Sequence, residues 1–194
     1  MKNDIEKRSF NVEYRQVEGD KRTVAGYAAL YNSETQLRPG IFERIAPGAF
    51  KNAISVSDIR ALLNHDPNHI LGRVKSGTLR VWEDEKGLAF ECDLPESRGD
   101  VLESLKRGDV DQCSFAFTIT EDGFDMEKRS DGSRLITITK IDRIYDVTIA
   151  TYPAYEDTVV SARCAGILKK IEEETKQVNR RNENLLRLAQ ASII

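Results

Sequence analysis

Asp111-Gln112-Cys113-Ser114-Phe115-Ala116-Phe117-Thr118 is the stretch on which the fold turns. Side chains alternate across a β-strand, so Cys113, Phe115 and Phe117 fall on one face and Ser114, Ala116 and Thr118 on the other. The large side chains mark the core face. Ser114 is therefore expected to look out of the core, beside a small Ala116 that leaves room for a substrate. Tyr145-Asp146-Val147-Thr148-Ile149-Ala150 repeats the pattern. There Tyr145, Val147 and Ile149 form the packing face, and Asp146, Thr148 and Ala150 share the opposite one.

Outward from these two strands, most of the chain reads as extended segments separated by turns. Residues 9–17 and 23–31 are rich in β-branched and aromatic side chains and are joined through Glu18-Gly19-Asp20, a hairpin signal. Residues 78–83 and 88–94 form a second hairpin pattern around Asp84-Glu85-Lys86-Gly87. Short helices are expected after Ala46-Pro47-Gly48-Ala49-Phe50 and over 101–107, the latter behind a capping box, Ser97-Arg98-Gly99-Asp100, and stopped by Gly108. The charged, glycine-containing segment 121–133 reads as an exposed loop, and 135–151 as one long extended run. The class is α+β, mostly antiparallel β.

From Gly166 the period changes. Ile167, Leu168, Ile171, Val178, Leu185, Leu186 and Leu188 recur at helical spacing among charged residues. The chain thus divides into a body, residues 1–165, and an amphipathic helical tail, residues 166–194.

Lys and Arg number 29 against 32 Asp and Glu, a formal charge of −3 with both signs interspersed. That balance argues against a nucleic-acid binder held by charge. The longest apolar run is Tyr27 to Tyr31, too short to cross a membrane, and MKNDIEKRSF lacks the apolar stretch of a signal peptide. Cys92, Cys113 and Cys164 are odd in number and scattered, as free thiols in a reducing compartment are.

The chain has only two histidines, both in Asn64-His65-Asp66-Pro67-Asn68-His69. Their spacing resembles a metal pair, but that geometry needs a helix, and Pro67 disfavours one there. The plain reading is a polar surface turn; against it, His65 ends an apolar strand-like segment, 59–63, that would fix its ring. Ser114 by itself is ordinarily just a serine in a strand, and Asp146 is either an acid that orients an imidazole or a solvated edge acid. Cys113 is the rival nucleophile, but its expected direction is into the core, where thiols are inert.

Five segments taken together carry a family resemblance. They are Phe42-Glu43-Arg44-Ile45-Ala46-Pro47-Gly48-Ala49-Phe50, Leu62-Leu63-Asn64-His65-Asp66, Leu71-Gly72-Arg73 with Gly77-Thr78-Leu79, Cys113-Ser114-Phe115-Ala116-Phe117, and Tyr152-Pro153-Ala154-Tyr155. In this order they resemble the tailed-phage prohead proteases, relatives of herpesvirus assemblin. The resemblance implies a herpesvirus-protease-like β-barrel with short peripheral helices. It implies a serine endopeptidase that works inside the assembling prohead in the host bacterial cytoplasm. Its partners would be the major capsid protein, whose scaffolding segment it cuts, and itself; nucleic acid and membrane are not among them, and a homo-oligomer is compatible with it. His65 matches the family's general base and Ser114 its nucleophile. Asp146 stands where the family pattern usually has Glu and would orient His65. Arg73, Gly72 and Gly77 are candidates for shaping an oxyanion hole, and no metal or organic cofactor is implied. The alternative class is a non-catalytic capsid-assembly protein that keeps the protease fold.

Overall fold

The computed structural model describes residues 6–11, 15–16, 22–152, 176–177 and 180–181. In chain order the elements are β1 (Glu6–Asn11), β2 (Arg15–Gln16), β3 (Thr23–Leu30), β4 (Thr35–Arg38), β5 (Ile41–Ile45), α1 (Lys51–Val56), β6 (Arg60–Leu63) and β7 (Asp66–Arg73). There follow β8 (Leu79–Glu83), β9 (Gly87–Asp93), a 3₁₀ turn (Glu96–Arg98), α2 (Gly99–Arg107), β10 (Gln112–Ile119), β11 (Phe124–Lys128), β12 (Arg134–Ile138) and β13 (Ile141–Ala150). All of them belong to one compact unit, Ile5–Thr158. The Glu18-Gly19-Asp20 turn, Pro153-Ala154-Tyr155 and Cys164 lie outside the described residues. So does the expected helical tail, apart from helical 176–177 and 180–181.

The strands sort into three sheets, ordered β1-β10-β13-β6-β7, β11-β12-β5-β4 and β2-β3-β9-β8. Neighbours pair antiparallel except β13 with β6 and β12 with β5, which run parallel. The expected closed barrel does not form among the described residues: each ladder ends at two edge strands. One of these edges, β7, is unsuited to closure, because Leu63 pairs with Asp66 and Leu62 with Ile70, so Pro67-Asn68-His69 bulge from the ladder. Proline there has no N–H to offer a further strand.

The face prediction for β10 holds on the packing side. Phe115 and Phe117 are fully buried, stacked with ring centroids 4.6 Å apart, and Phe50 meets Phe115 edge-on at 5.5 Å. Phe50 comes from the segment Ala46-Pro47-Gly48-Ala49-Phe50. That segment turns at Gly48 (φ +83°) and is tied by the Ile141 N–H donating to the Ala49 carbonyl at 3.0 Å. Burying each such ring stabilises the fold by about 1.5–3 kcal/mol.

Three local expectations are corrected. Residues 124–128 form β11 rather than loop, paired with β12, because Gly123 lies too close to the Lys140 carbonyl to carry a side chain and so permits a tight crossing. The capping box at Ser97 is not made. A 3₁₀ turn over Glu96–Arg98 shifts the α2 cap to Arg98, although Gly108 ends the helix at φ +76° as expected. Tyr145 is not a packing residue: Ala116 pairs with Asp146 but Phe117 with Ile144, so Tyr145 is the extra residue of a bulge and Ile144 takes its core place.

Gly72 in β7 packs where no side chain fits: a Cβ there would lie 2.6 Å from Cys92 Sγ and 3.0 Å from the Thr78 carbonyl oxygen. Gly72→Ala is expected to destabilise the fold by about 1–3 kcal/mol, read from urea unfolding. Combined with Cys92→Ala, the loss should be smaller than the sum of the two single losses, because the clash partner is gone. Strict additivity would show that the Cys92 contact is not what keeps residue 72 a glycine.

Candidate active site

The five-stranded sheet has one face against the core and one that carries polar side chains. Ser114 pairs with Thr148 and Thr148 with Leu62, while Ala116 pairs with Asp146. Ser114, Thr148 and Asp146 therefore share a face on adjacent strands. His65 reaches that face from the turn between β6 and β7. Asn64 and His65 are its two central residues, with φ of +54° and +56°, and Leu63 pairs with Asp66 across it. Positive φ at both central residues is the signature of a type I′ hairpin turn, in which the second position is ordinarily glycine. A non-glycine residue held left-handed costs roughly 1–2 kcal/mol, and such positions cluster at functional sites.

The structure brings the three sequence-predicted residues together. His65 Nδ1 lies 2.7 Å from Asp146 Oδ1, and His65 Nε2 lies 2.7 Å from Ser114 Oγ. A carboxylate only accepts, so Nδ1–H donates to Asp146 and the lone pair of Nε2 accepts from the Ser114 hydroxyl. Thr148 completes the shell: its hydroxyl donates to Asp146 Oδ1 at 2.7 Å and sits 3.3 Å from His65 Nδ1. The bulge at Tyr145 immediately precedes Asp146, and the Ile144 N–H beside it donates to Ser57 Oγ at 3.0 Å. Bulges of this kind re-aim a side chain next to a site.

Burial departs from the expectation. The face opposite the core is covered rather than open: Ser114 and Thr148 are 0% exposed, and the side chains of His65 and Asp146 only 12% and 10%. In so dry a setting the hydrogen bonds of the line are electrostatically stronger than in water.

The remaining candidates go elsewhere. His69 stands on the bulged edge of β7, where Nδ1 accepts from Arg98 at 3.1 Å and Nε2 lies 3.7 Å from Asp66. Its ring thus serves different partners from that of His65. Among the described residues no group of three or more His, Cys, Asp or Glu is placed to hold a metal ion. Arg73 binds Asp58 through two guanidinium nitrogens, which holds the Asp58 carboxyl below its ordinary range. Gly72 and Gly77 serve backbone packing and a turn at φ +75°. Cys113 is buried in the core, and desolvation pushes its thiol up to about 12. Thr148, Asn64 and Thr151 are contributors that the sequence does not single out. The signal for Thr148 is its shared face with Asp146.

A hydroxyl, an imidazole and a carboxylate in one hydrogen-bonded line are the equipment of nucleophilic acyl transfer. The chain belongs to the caudovirus prohead serine protease family, whose model matches residues 10–177. That family is one of serine peptidases of tailed phages, and the match extends beyond residue 165. No curated protein sequence matches the chain, and no solved structure does.

The raised thiol has a direct consequence. A group that ionises only near pH 12 remains a thiol at neutral and mildly alkaline pH, and the thiolate is the reactive form. Iodoacetamide at about pH 8 should leave Cys113 unmodified in the folded protein and alkylate it in urea, read by peptide mass spectrometry. Rapid alkylation of folded protein at Cys113 would reinstate the thiol as rival nucleophile.

Proposed function

We propose that the protein is a capsid-maturation serine endopeptidase that cuts the scaffolding segment of the major capsid protein and processes itself. The observation that carries this reading is the continuous hydrogen-bonded line Ser114–His65–Asp146 in a chain of the prohead protease family. Ser114 is the nucleophile. Neutral His65 takes its proton through Nε2 as Oγ attacks the scissile carbonyl, then returns that proton to the leaving amine. Asp146 holds the Nδ1–H tautomer and stabilises the imidazolium that forms. Water then releases the acyl group by the same steps in reverse order. The partner is the capsid protein, met inside the assembling prohead, and no cofactor enters the scheme.

Self-processing divides the chain into a retained body, residues 1–165, and a removed segment, residues 166–194. The amphipathic and mildly basic composition of that segment supports its docking on capsid or scaffold before removal. The complete burial of Ser114 favours a second reading, a non-catalytic assembly protein that keeps the fold.

Co-expression with the cognate capsid protein, followed by sequencing of new termini, separates the two. Cleavage of the capsid protein and shortening of this chain are both expected. Each should fall below detection in Ser114→Ala and in His65→Ala, with the double variant no worse, because the pair acts as one unit. Uncut capsid protein beside the wild-type chain would support the assembly reading, and substantial cleavage by Ser114→Ala would remove the serine assignment.

Asp146→Asn should fold normally yet lower turnover by up to about 10⁴-fold, since an amide favours the wrong imidazole tautomer. Cleavage by this variant near the wild-type rate would show that another group orients His65. EDTA is expected to change nothing.

A further inference from the structure

We infer that Asn64 is a positioning residue, which locks the turn bearing His65 to the strand bearing Asp146. The inference rests on the proposed function, and it starts from the turn itself. Asn64 directs its backbone N–H and both polar atoms of its side chain to β13 and the residue after it. Its N–H donates to the Ile149 carbonyl at 2.9 Å, its Nδ2 donates to Thr151 Oγ1 at 3.0 Å, and its Oδ1 accepts the Thr151 N–H at 2.8 Å. The side-chain pair bridges 87 residues of sequence and closes a ring between two backbones. Asparagine is also among the few residues that tolerate a left-handed backbone, so one side chain serves both the turn and the clamp.

The chemistry explains why a clamp is needed. The hydrogen bond from Ser114 to Nε2 must break as the serine attacks, and the imidazolium must then face the leaving amine. For that interval the Ser114 contact does not hold the ring, and His65 sits in a left-handed conformation that invites relaxation. The clamp supplies a hold that does not change during the reaction. Because Asp146, Ile149 and Thr151 follow one another along a single extended stretch, base and acid then move as one body.

The test uses the full chain and three variants. Asn64→Gly preserves positive φ, removing the clamp without straining the turn. Asn64→Asp keeps an acceptor for the Thr151 N–H and offers its second oxygen to the Thr151 hydroxyl, so it is the conservative rescue. Thr151→Val removes the exposed hydroxyl alone. Two readouts are followed beside the thermal midpoint: the rate at which a fluorophosphonate labels Ser114, and the strongly downfield NMR resonance of the His65 Nδ1 proton bonded to Asp146.

Asn64→Gly should hold its thermal midpoint near that of the wild type, lose or broaden the downfield resonance, and label about ten- to a hundredfold more slowly. Asn64→Asp should recover most of the rate. A wild-type resonance and labelling rate in folded Asn64→Gly would overturn the inference. If that variant does not fold, Thr151→Val decides, with slower labelling and a broadened resonance supporting the clamp and unchanged values overturning it. An unlabelled wild type whose resonance is present, and is lost in Asn64→Gly, would defeat the peptidase reading and leave the clamp standing.

Discussion

One imidazole, hydrogen-bonded at both nitrogens, joins segments that lie 49 and 81 residues from it along the chain. The arrangement of β10, β13 and β6 in the five-stranded sheet follows from the demand that these bonds be met together. Ser114 and Asp146 must stand on one face of neighbouring strands, which the antiparallel β10–β13 pairing provides. His65 must come over that face from outside the pair. This requires a third strand beside β13, and β6 supplies it by running parallel. A parallel neighbour ends at the same end of the sheet as β13, so its turn arrives beside Thr151 rather than at the far edge.

The opposite face of the same strands explains why the arrangement holds still. Phe115 is flanked in sequence by Ser114 and Ala116, and its ring is locked between Phe50 and Phe117. A serine set between two core side chains inherits their rigidity, whereas the same serine on a loop would not. The cost falls on solvation. With both faces covered, the polar groups of the site are kept from water, and Thr148 becomes necessary because it donates to the buried Asp146 carboxylate.

Alternation makes the two faces of β10 legible from the residues alone, and with them the direction of Ser114 and the inert burial of Cys113. It misplaces Tyr145, because a bulge inserts one residue without altering the local pattern of apolar and polar types. It also leaves the Ser114 face open, since alternation tells which side a residue faces and not what covers that side. The barrel expectation comes from family likeness. It fails because closure depends on edge strands such as β7, whose Pro67 bulge arises from pairing rather than from composition. The meeting of His65 with Asp146 is not derivable locally: it depends on the parallel β13–β6 register, a long-range choice. The Asn64-His65 turn does carry a signal, an asparagine between two extended segments, but histidine in the place of the usual glycine hides it.

The length of the acid ties these pieces into one design. A glutamate in place of Asp146 would carry its carboxylate about 1.5 Å further along its side chain. Asp146 nevertheless meets Nδ1 at 2.7 Å while accepting Thr148 at 2.7 Å. A shorter acid can do this only if the ring comes down to it. The ring comes down because the turn is left-handed at both central residues and is drawn onto the end of β13 by Asn64. Unbroken pairing from Ser114–Thr148 to Ala116–Asp146 sets Asp146 on the Ser114 face, one row along from Thr148. A longer acid in this setting would have to fold back on itself to keep both bonds. Asp146, Thr148 and the clamped turn are therefore fitted to one another, and a change of acid length is accommodated only together with a change in how the turn is held.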